Sequence, residues 1–468
     1  MVMTTPTTPQ AACEDALYPG LPPGPRMAAM AALLLAVTLS VLDYAIANVA
    51  LPAIAQDMHA TDAQSVWVVN AYQLANLSCL LPCALVGARI GFKRMSQLGL
   101  VVFLIAASFC ALSHSMAELA WWRTMQGVGG ACIMSVNMAL VRFIYPGAIV
   151  GRGIAMISVA TSVGAMAGPS LGALILTFLP WPWLFWFNLP VGLVALLLSW
   201  RFLPHIPLRP QHQSIVLGLG LTVAAFATLG IALDGLVRAE WPMALGFGVA
   251  ALACWRGLVW WQRRKRFFIM PFDLLGKRAF LVPCLVGFLA FVASNLYIVA
   301  MPFTLVNVFH RSAGMVGLLV SPWAGGSAVM ALLVRKYTDS IQPRRLTTMG
   351  LVVVVGGLLG LALLPPTATN WAIVLPTFCA GLGFGVIQAS NNRTIMVAAP
   401  PGKEGEASGM ISVCRLGGQT MGALLVAGVF TLLPQPLAAG QACLYSASFM
   451  GAVATLLCLS NRVRPSLA

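Results

Sequence analysis

MAAMAALLLAVTLSVLDYAIANVALP, residues 27–52, is apolar at nearly every position and carries one acid, Asp43, close to its middle. A helix of about 20 apolar residues crosses the hydrocarbon layer of a bilayer, so the stretch predicts a spanning helix with a charge at membrane depth. Segments of the same kind recur along all 468 residues, and the predicted spans are 28–52, 64–86, 96–114, 118–143, 153–178, 183–203, 214–237, 241–262, 279–306, 313–335, 347–366, 371–397, 407–433 and 438–461. Short polar clusters separate them, and no compositional break marks a soluble domain. Composition agrees, because 59% of the residues are hydrophobic and 8% charged. Soluble chains carry roughly 25% charged residues, enough to coat a water-facing surface. The class is an all-α integral membrane protein with fourteen transmembrane helices.

A net charge of +15 would point to nucleic acid if the basic residues formed one domain. They sit instead in short loops. With the N-terminus in the cytosol, the loops on that side carry Arg89, Lys93, Arg94, Arg152, Arg209, Arg263, Arg264, Lys265, Arg266, Lys277, Arg278, Arg335, Lys336, Arg344, Arg345 and Lys403, and the tail adds Arg462 and Arg464. The opposite loops hold Arg238 and Arg311. Positive charge accumulates on the cytosolic side of membrane proteins, so both termini are expected in the cytosol. Residues 1–26, rich in Pro, Thr and Ala with Glu14 and Asp15, lack the pattern of a cleaved signal and read as a cytosolic tail. RRKRFFIMPFDLLGKRAF (263–280) interleaves basic and apolar residues and reads as an anchor along the cytosolic interface. Most of the eleven cysteines lie inside apolar runs. Cys79 and Cys83 share a helix face, but no histidine stands near to complete a metal site, so the cysteines read as small buried hydrophobes and no metal is expected.

An internal repeat shows in the loops. Lys93 and Arg94 follow Ala88 by the spacing at which Arg344 and Arg345 follow Asp339. Each loop joins the second and third helices of a six-helix half. The division is therefore a tail (1–26), a first bundle (27–205), two inserted helices with a basic linker (206–278) and a second bundle (279–468). Halves repeated in parallel occur in secondary transporters, whose solute site lies between them near the midplane.

Several strings in order resemble one family. LDYAIANVALP (42–52), RTMQGVGG (123–130), GAMAGPSLG (164–172) and WPWLFWFNLPVG (181–192) resemble signatures of the major facilitator superfamily and of its fourteen-spanner drug:proton antiporter family. The resemblance covers nearly the whole chain. It implies the major facilitator fold, two six-helix bundles plus two inserted linker helices. One loop departs from the family: ALVGARIGFKR (84–94) has Ala84 and Ala88 where the pattern has glycine and aspartate. In the family that aspartate is thought to help latch the cytosolic side, a role that here falls to Asp339 or is weakened. Arg89, Lys93, Arg94, Asp339, Arg344 and Arg345 are the gating candidates.

Ionisable groups inside spans cost about 2.5–3.5 kcal/mol each on insertion scales. Asp43 lies roughly 12 Å from the outer end of span one at 1.5 Å per residue, and Arg123 lies at similar depth in span four. In the superfamily both spans face the central cavity, so the two are expected to meet. Desolvation favours a protonated carboxyl group and a nearby guanidinium favours the carboxylate. A group so balanced, wetted and occluded in turn, can load a proton on one side and release it on the other. Asp43 is thus the candidate proton-coupling acid with Arg123 as its modulator; a fixed ion pair holding the first half together is the alternative. Asp234, at the outer end of inserted span seven, reads as structural, and Glu118 as solvated.

Gly164, Gly168, Pro169 and Gly172 place small residues on one face, where close packing and a bend would seal a cavity. Solute-binding candidates are Asn295 and Tyr297 on span nine, Gln388, Asn391 and Asn392 on span twelve, and Arg415 on span thirteen. Gln126, Asn137, Tyr72 and Gln73 are the candidates from the first half. An amide in a span must be paired or wet, so hydrogen bonding between helices is the alternative for each. No nucleotide-binding string G-x-x-x-x-G-K-[ST] occurs, and no nucleophile–base set or cofactor motif stands out. The expectation is a non-enzymatic, cofactor-free, proton-coupled exporter of amphiphilic toxic compounds. It would work as a monomer in a bacterial inner membrane, with lipid, protons and a small solute as its partners and no nucleic acid. Export or uptake of a specific metabolite or siderophore on the same scaffold is the second reading, and a non-transporting receptor or assembly subunit the third. One proton entering across 100 mV supplies about 2.3 kcal/mol, enough for a roughly fortyfold outward gradient.

Overall fold

A computed structural model describes residues 20–146, 149–205, 215–265, 272–337, 342–400 and 403–460. Residues 1–19, 209, 266, 339, 462 and 464 lie outside them, so Arg209, Arg266, Arg462, Arg464, the latch candidate Asp339 and most of the tail are not placed. The architecture is helical throughout the described residues. Fourteen long helices follow one another: α1 (Pro23–Asp57), α2 (Trp67–Ile90), α3 (Phe92–Ala111), α4 (Met116–Ile144), α5 (Val150–Phe178), α6 (Asn188–Phe202) and α7 (Val216–Val237). Then come α8 (Trp241–Lys265), α9 (Arg278–Asn307), α10 (Ala313–Tyr337), α11 (Pro343–Ala362), α12 (Asn370–Ala398), α13 (Glu404–Leu432) and α14 (Pro436–Ser460). With α6 joined to the short helix Trp183–Trp186 before it, thirteen of them are long and apolar enough to cross a membrane, and α10 carries a shorter apolar stretch, Gly314–Met330.

The first helix is longer than the sequence suggested at both ends. It starts inside the predicted tail because Pro23 occupies its first turn, where a missing N–H and a fixed φ fit the helix. The turn before α2 is set by a capping box: Thr61 Oγ1 accepts from Gln64 N–H while Gln64 Oε1 accepts from Thr61 N–H. Glu118 stays half-exposed at the start of α4. Its carboxylate accepts from the His114 N–H just before α4, while its own N–H, one of the donors a helix N-terminus leaves open, goes to Ser115 Oγ. Gly91, at φ +102°, makes the sharp turn from α2 into α3 that a side chain would strain.

The two halves repeat each other contact for contact. In the first, α4 packs on α2 and α3, α1 packs on α5 and α6, and α3 on α6. In the second, α12 packs on α10 and α11, α9 on α13 and α14, and α11 on α14. The correspondence holds at single residues. His59 after α1 and His310 after α9 both adopt positive φ. Lys93 Nζ donates to the Trp200 and Leu203 carbonyls at the end of α6, and Arg344 donates to the Cys458 and Leu459 carbonyls at the end of α14. Cations at a helix C-terminus satisfy its open carbonyls and oppose its dipole. The loop cations that mark the repeat therefore fasten the last helix of each half to its third. Arg94 and Arg345 are exposed.

Of the inserted pair, α7 packs on α2 and α13 from outside, and α8 packs on α7. Asp234 pairs with Arg238 one turn on, at 3.0 Å. Trp200, Phe178, Trp371 and Leu456 are more than half exposed. Such a belt of apolar side chains suits lipid, and it would aggregate in water.

The glycine face of α5 packs inside the first half. A Cβ at Gly168 would sit 2.3 Å from Ala45 Cβ of α1, and one at Gly164 would sit 3.1 Å from the Thr38 carbonyl. Contact with the other half runs through Pro169, Ser170 and Ala173 instead. Ser170 and Ser321 hydroxyls lie 2.6 Å apart, and a Cβ at Gly317 of α10 would meet the Pro169 carbonyl at 2.2 Å. Gly168→Val is expected to lower stability by about 2 kcal/mol, since forced overpacking typically costs 1–3. A melting curve of the purified variant checks it.

Candidate functional site

Asp43 and Arg123 meet, as expected, but not in a cavity. Arg123 Nη1 donates to Asp43 Oδ2 at 2.6 Å. Gln126 Nε2 and Asn188 Nδ2 donate to Asp43 Oδ1 at 3.0 and 2.7 Å. Arg123 also donates to the Gln126 side-chain carbonyl at 2.7 Å and to the Val68 backbone carbonyl at 2.9 Å. Its guanidinium lies 4.6 Å from the Tyr72 ring centroid and 5.6 Å from that of Phe185. Arg123, Gln126 and Asn188 are wholly buried and Asp43 is 2% exposed. The network joins α1, α4 and α6 inside the first half. Depth along the helix was readable from sequence, but rotation about its axis was not. Tyr44 and Asn48, one turn apart, line the cavity, and Asp43, some 100° round the helix from Tyr44, points to α4 and α6. Asn188 was missed, although it stands in the quoted string WFNLPVG.

The cavity lies between the halves at mid-depth and measures about 170 Å³. The first half gives it Tyr44, Asn48, Thr161 and Ala165. The second gives Phe291, Trp323, Phe384, Gln388, Arg415 and Gln419. Phe291 and Phe384 meet edge to face at 5.3 Å, Trp323 lies 5.7 Å from Phe384, and Tyr297 stacks on Trp323 at 4.6 Å. Tyr297 is therefore backing for the wall, fully buried, rather than a solute contact. Among the described residues Arg415 is the only charged one of the lining.

A hydrogen-bonded clasp ties the halves at this level. Tyr44 Oη donates to Asn295 Oδ1 across the interface. Asn295 Nδ2 donates to the Gln419 backbone carbonyl, and Gln73 Nε2 donates to Gln419 Oε1 at 3.0 Å. Tyr44 and Asn295 stand 251 positions apart, the offset that also relates His59 to His310 and Lys93 to Arg344. They are repeat counterparts meeting on the pseudo-twofold axis. Tyr44 and Gln419 were not singled out from the sequence, although one adjoins Asp43 and the other follows Arg415 by one turn.

The remaining candidates go elsewhere. Tyr72 hydrogen-bonds Ser40 at 3.0 Å, Asn391 donates to the Pro283 carbonyl at 2.9 Å, and Asn137 contacts the Met134 sulfur. None of these three, nor Asn392, lines the cavity. Asn391 and Tyr72 took the interhelical alternative because a buried amide or phenol must find a partner. Beyond the cavity, toward the end of the bundle away from the termini, the halves are closed by the Ser170–Ser321 contact and by Asn307 Nδ2 donating to Asp62 Oδ2 at 2.9 Å. No group of three or more His, Cys, Asp or Glu among the described residues is placed to hold a metal.

The profile of the Major Facilitator Superfamily matches residues 33–423. Among known proteins, the uncharacterized transporter YebQ of Escherichia coli K12 is 39% identical over 87% of this chain and 90% of its own length. The riboflavin transporter RibZ of Clostridioides difficile is 27% identical over 81% of this chain and 82% of its own. The multidrug export protein EmrB of Haemophilus influenzae is 28% identical over 85% and 79%.

Proposed function

The chain belongs to the Major Facilitator Superfamily, a family of transporters rather than enzymes, and from that premise we propose that it is a proton-coupled antiporter expelling amphiphilic toxic compounds across a bacterial cytoplasmic membrane. The observation that carries this reading is the cavity itself. It sits at mid-depth between two repeated halves, walled by aromatic rings and amides, with the halves tied on one side of it. Rocking the halves about the Tyr44–Asn295 axis exposes the same wall to the other side, which is alternating access. Similarity to EmrB, a multidrug export protein by name, supports expulsion.

Proton coupling runs through Asp43. It is the one carboxylate near mid-depth among the described residues, since Asp57, Asp62 and Asp234 lie toward helix ends. With the far side closed, its charge is matched by Arg123 and its oxygens by three donors. For coupling, opening the far side also loosens α1 against α4 and α6 within the first half, which wets the carboxyl group and lets a proton take the place of Arg123. The proton returns to the cytosolic side when the pair closes again.

A second reading keeps the scaffold and changes the cargo to one metabolite. It is favoured by the small cavity and by similarity to RibZ, a riboflavin transporter by name. Purified protein in liposomes, loaded with a fluorescent amphiphile and given an inward pH gradient, tests the leading reading. Extrusion against the amphiphile's own gradient, collapsed by a protonophore, is expected; flux indifferent to the pH gradient contradicts it. A panel in which one metabolite alone is moved selects the second.

A further inference from the structure

We propose that the cavity is built for compact organic anions with a planar aromatic body, held by Arg415 against the aromatic wall of the second half. This rests on the transport reading above and names its class of solute. Arg415 lies eleven residues into α13 from Glu404, roughly 17 Å at 1.5 Å per residue, where an unmatched charge is costly and marks function. The other guanidinium at comparable depth, Arg123, has a carboxylate, an amide and a backbone carbonyl around it. Arg415 has no ion pair and no hydrogen bond among the described residues, is partly exposed to the cavity, and shares it with no acid. Among the described residues the cavity therefore carries a net positive charge that no acid of its lining answers.

The scaffold does not demand that arginine. Gly418 and Gly422 of α13 pack on α9 at Phe288, Phe291 and Asn295, as Gly164 and Gly168 of α5 pack on α1 at Thr38 and Ala45. The two glycine pairs align the helices, and the alignment sets Arg415 opposite Thr161 and Gln419 opposite Ala165. All four line the cavity, so the same structural position is filled by a small side chain in one half and by a guanidinium in the other.

The rest of the wall fits a ring. Phe291, Phe384 and Trp323 form one surface, stiffened by Tyr297 behind Trp323. The volume, about 170 Å³, is close to the ~150 Å³ of an engineered apolar cavity that takes benzene. A guanidinium binds a carboxylate through two parallel hydrogen bonds, and Gln388 adds an amide to the same cavity. A cation would meet uncompensated positive charge here, and a neutral ring would forgo the paired contact. Driving force follows from charge. Exchanging one proton inward for one monoanion outward moves two positive charges inward, so 100 mV sustains a roughly two-thousandfold gradient instead of about fortyfold for a neutral solute.

Equilibrium binding to the purified full chain in detergent, by calorimetry, compares benzoate, benzamide and benzylammonium. Benzoate is expected to bind at least tenfold more tightly than benzamide, with benzylammonium weakest, since a hydrogen bond to a charged group contributes about a decade or more. Arg415→Gln should bring benzoate down to the benzamide level and leave benzamide within twofold. Arg415→Lys should keep part of the preference, and Trp323→Leu should weaken benzoate and benzamide alike. No benzoate binding to the wild type, equal or tighter binding of benzamide or benzylammonium, or a preference surviving Arg415→Gln each overturns the proposal. The wild-type comparison decides even if a variant fails to fold. Binding needs no gradient, so absent proton coupling leaves this result intact, and an absent anion preference leaves the transport reading intact.

Discussion

Asp43→Ala is expected to cost about 3–5 kcal/mol of stability, because it strands the wholly buried Arg123 guanidinium without its counter-charge. Asp43→Asn should cost less, since its amide oxygen still accepts from Gln126 and Asn188. The informative variant is the double one, Asp43→Asn with Arg123→Gln. Removing both charges of a buried pair is often near neutral, whereas removing one is not, so the double variant should melt within about 1–2 kcal/mol of the wild type. A fixed ion pair and a proton switch then part company. If the pair merely holds α1 to α4, the double variant transports uphill like the wild type. If Asp43 carries the proton, uphill extrusion falls at least tenfold while downhill exchange of labelled solute persists. The second result is expected, read from melting curves and liposome flux on the same preparations.

Gly381→Ala is expected to disturb the solute wall from behind, through the backbone that carries Trp323. A Cβ at Gly381 of α12 would stand 2.1 Å from the Trp323 carbonyl oxygen and 2.8 Å from its Cα. These are backbone atoms of α10 that no rotamer change can move aside, so α10 and α12 must part. Overpacking of this kind costs about 3 kcal/mol or more. The displaced residue is Trp323 itself, stacked on Tyr297 and adjoining Phe384, so solute affinity should fall together with melting temperature. Its counterpart in the first half, Gly127 against the Tyr72 carbonyl at 2.3 Å, displaces the ring over Arg123. Gly127→Ala should therefore disturb coupling more than binding. Melting curves and calorimetry on the two variants separate these effects.

The spans and their pairing into halves were legible because they rest on one-dimensional signals, the length of apolar runs and the spacing of loop cations. Lys93 and Arg344 kept their counterpart spacing in three dimensions because each fastens the last helix of its half. The meeting of Asp43 and Arg123 was legible for a physical reason too: two opposite charges at equal depth have few other places to go. Orientation was harder. Where every face of a helix is apolar, periodicity gives no bearing, so Tyr44 could not be told from Asp43 as the residue facing the cavity. Phe291, Trp323 and Phe384 look like core aromatics in a sequence, and only the fold gathers them around Arg415. The glycines of α5 read as a close-packed face without a named partner, and the structure gives them α1, with Pro169 alone of that set reaching the other half, since small residues mark close approach without naming the neighbour. Asn391 fell to the same ambiguity.

The most direct test counts protons. Wild-type protein is sealed in liposomes that contain a pH-sensitive dye, with membrane potential clamped and no pH gradient imposed. An outward-directed pulse of solute is then applied. Proton movement opposite to the solute, in fixed ratio to it and abolished in the Asp43→Asn, Arg123→Gln double variant, is expected. Solute flux with no proton movement, or proton movement undiminished in that variant, would contradict coupling through Asp43.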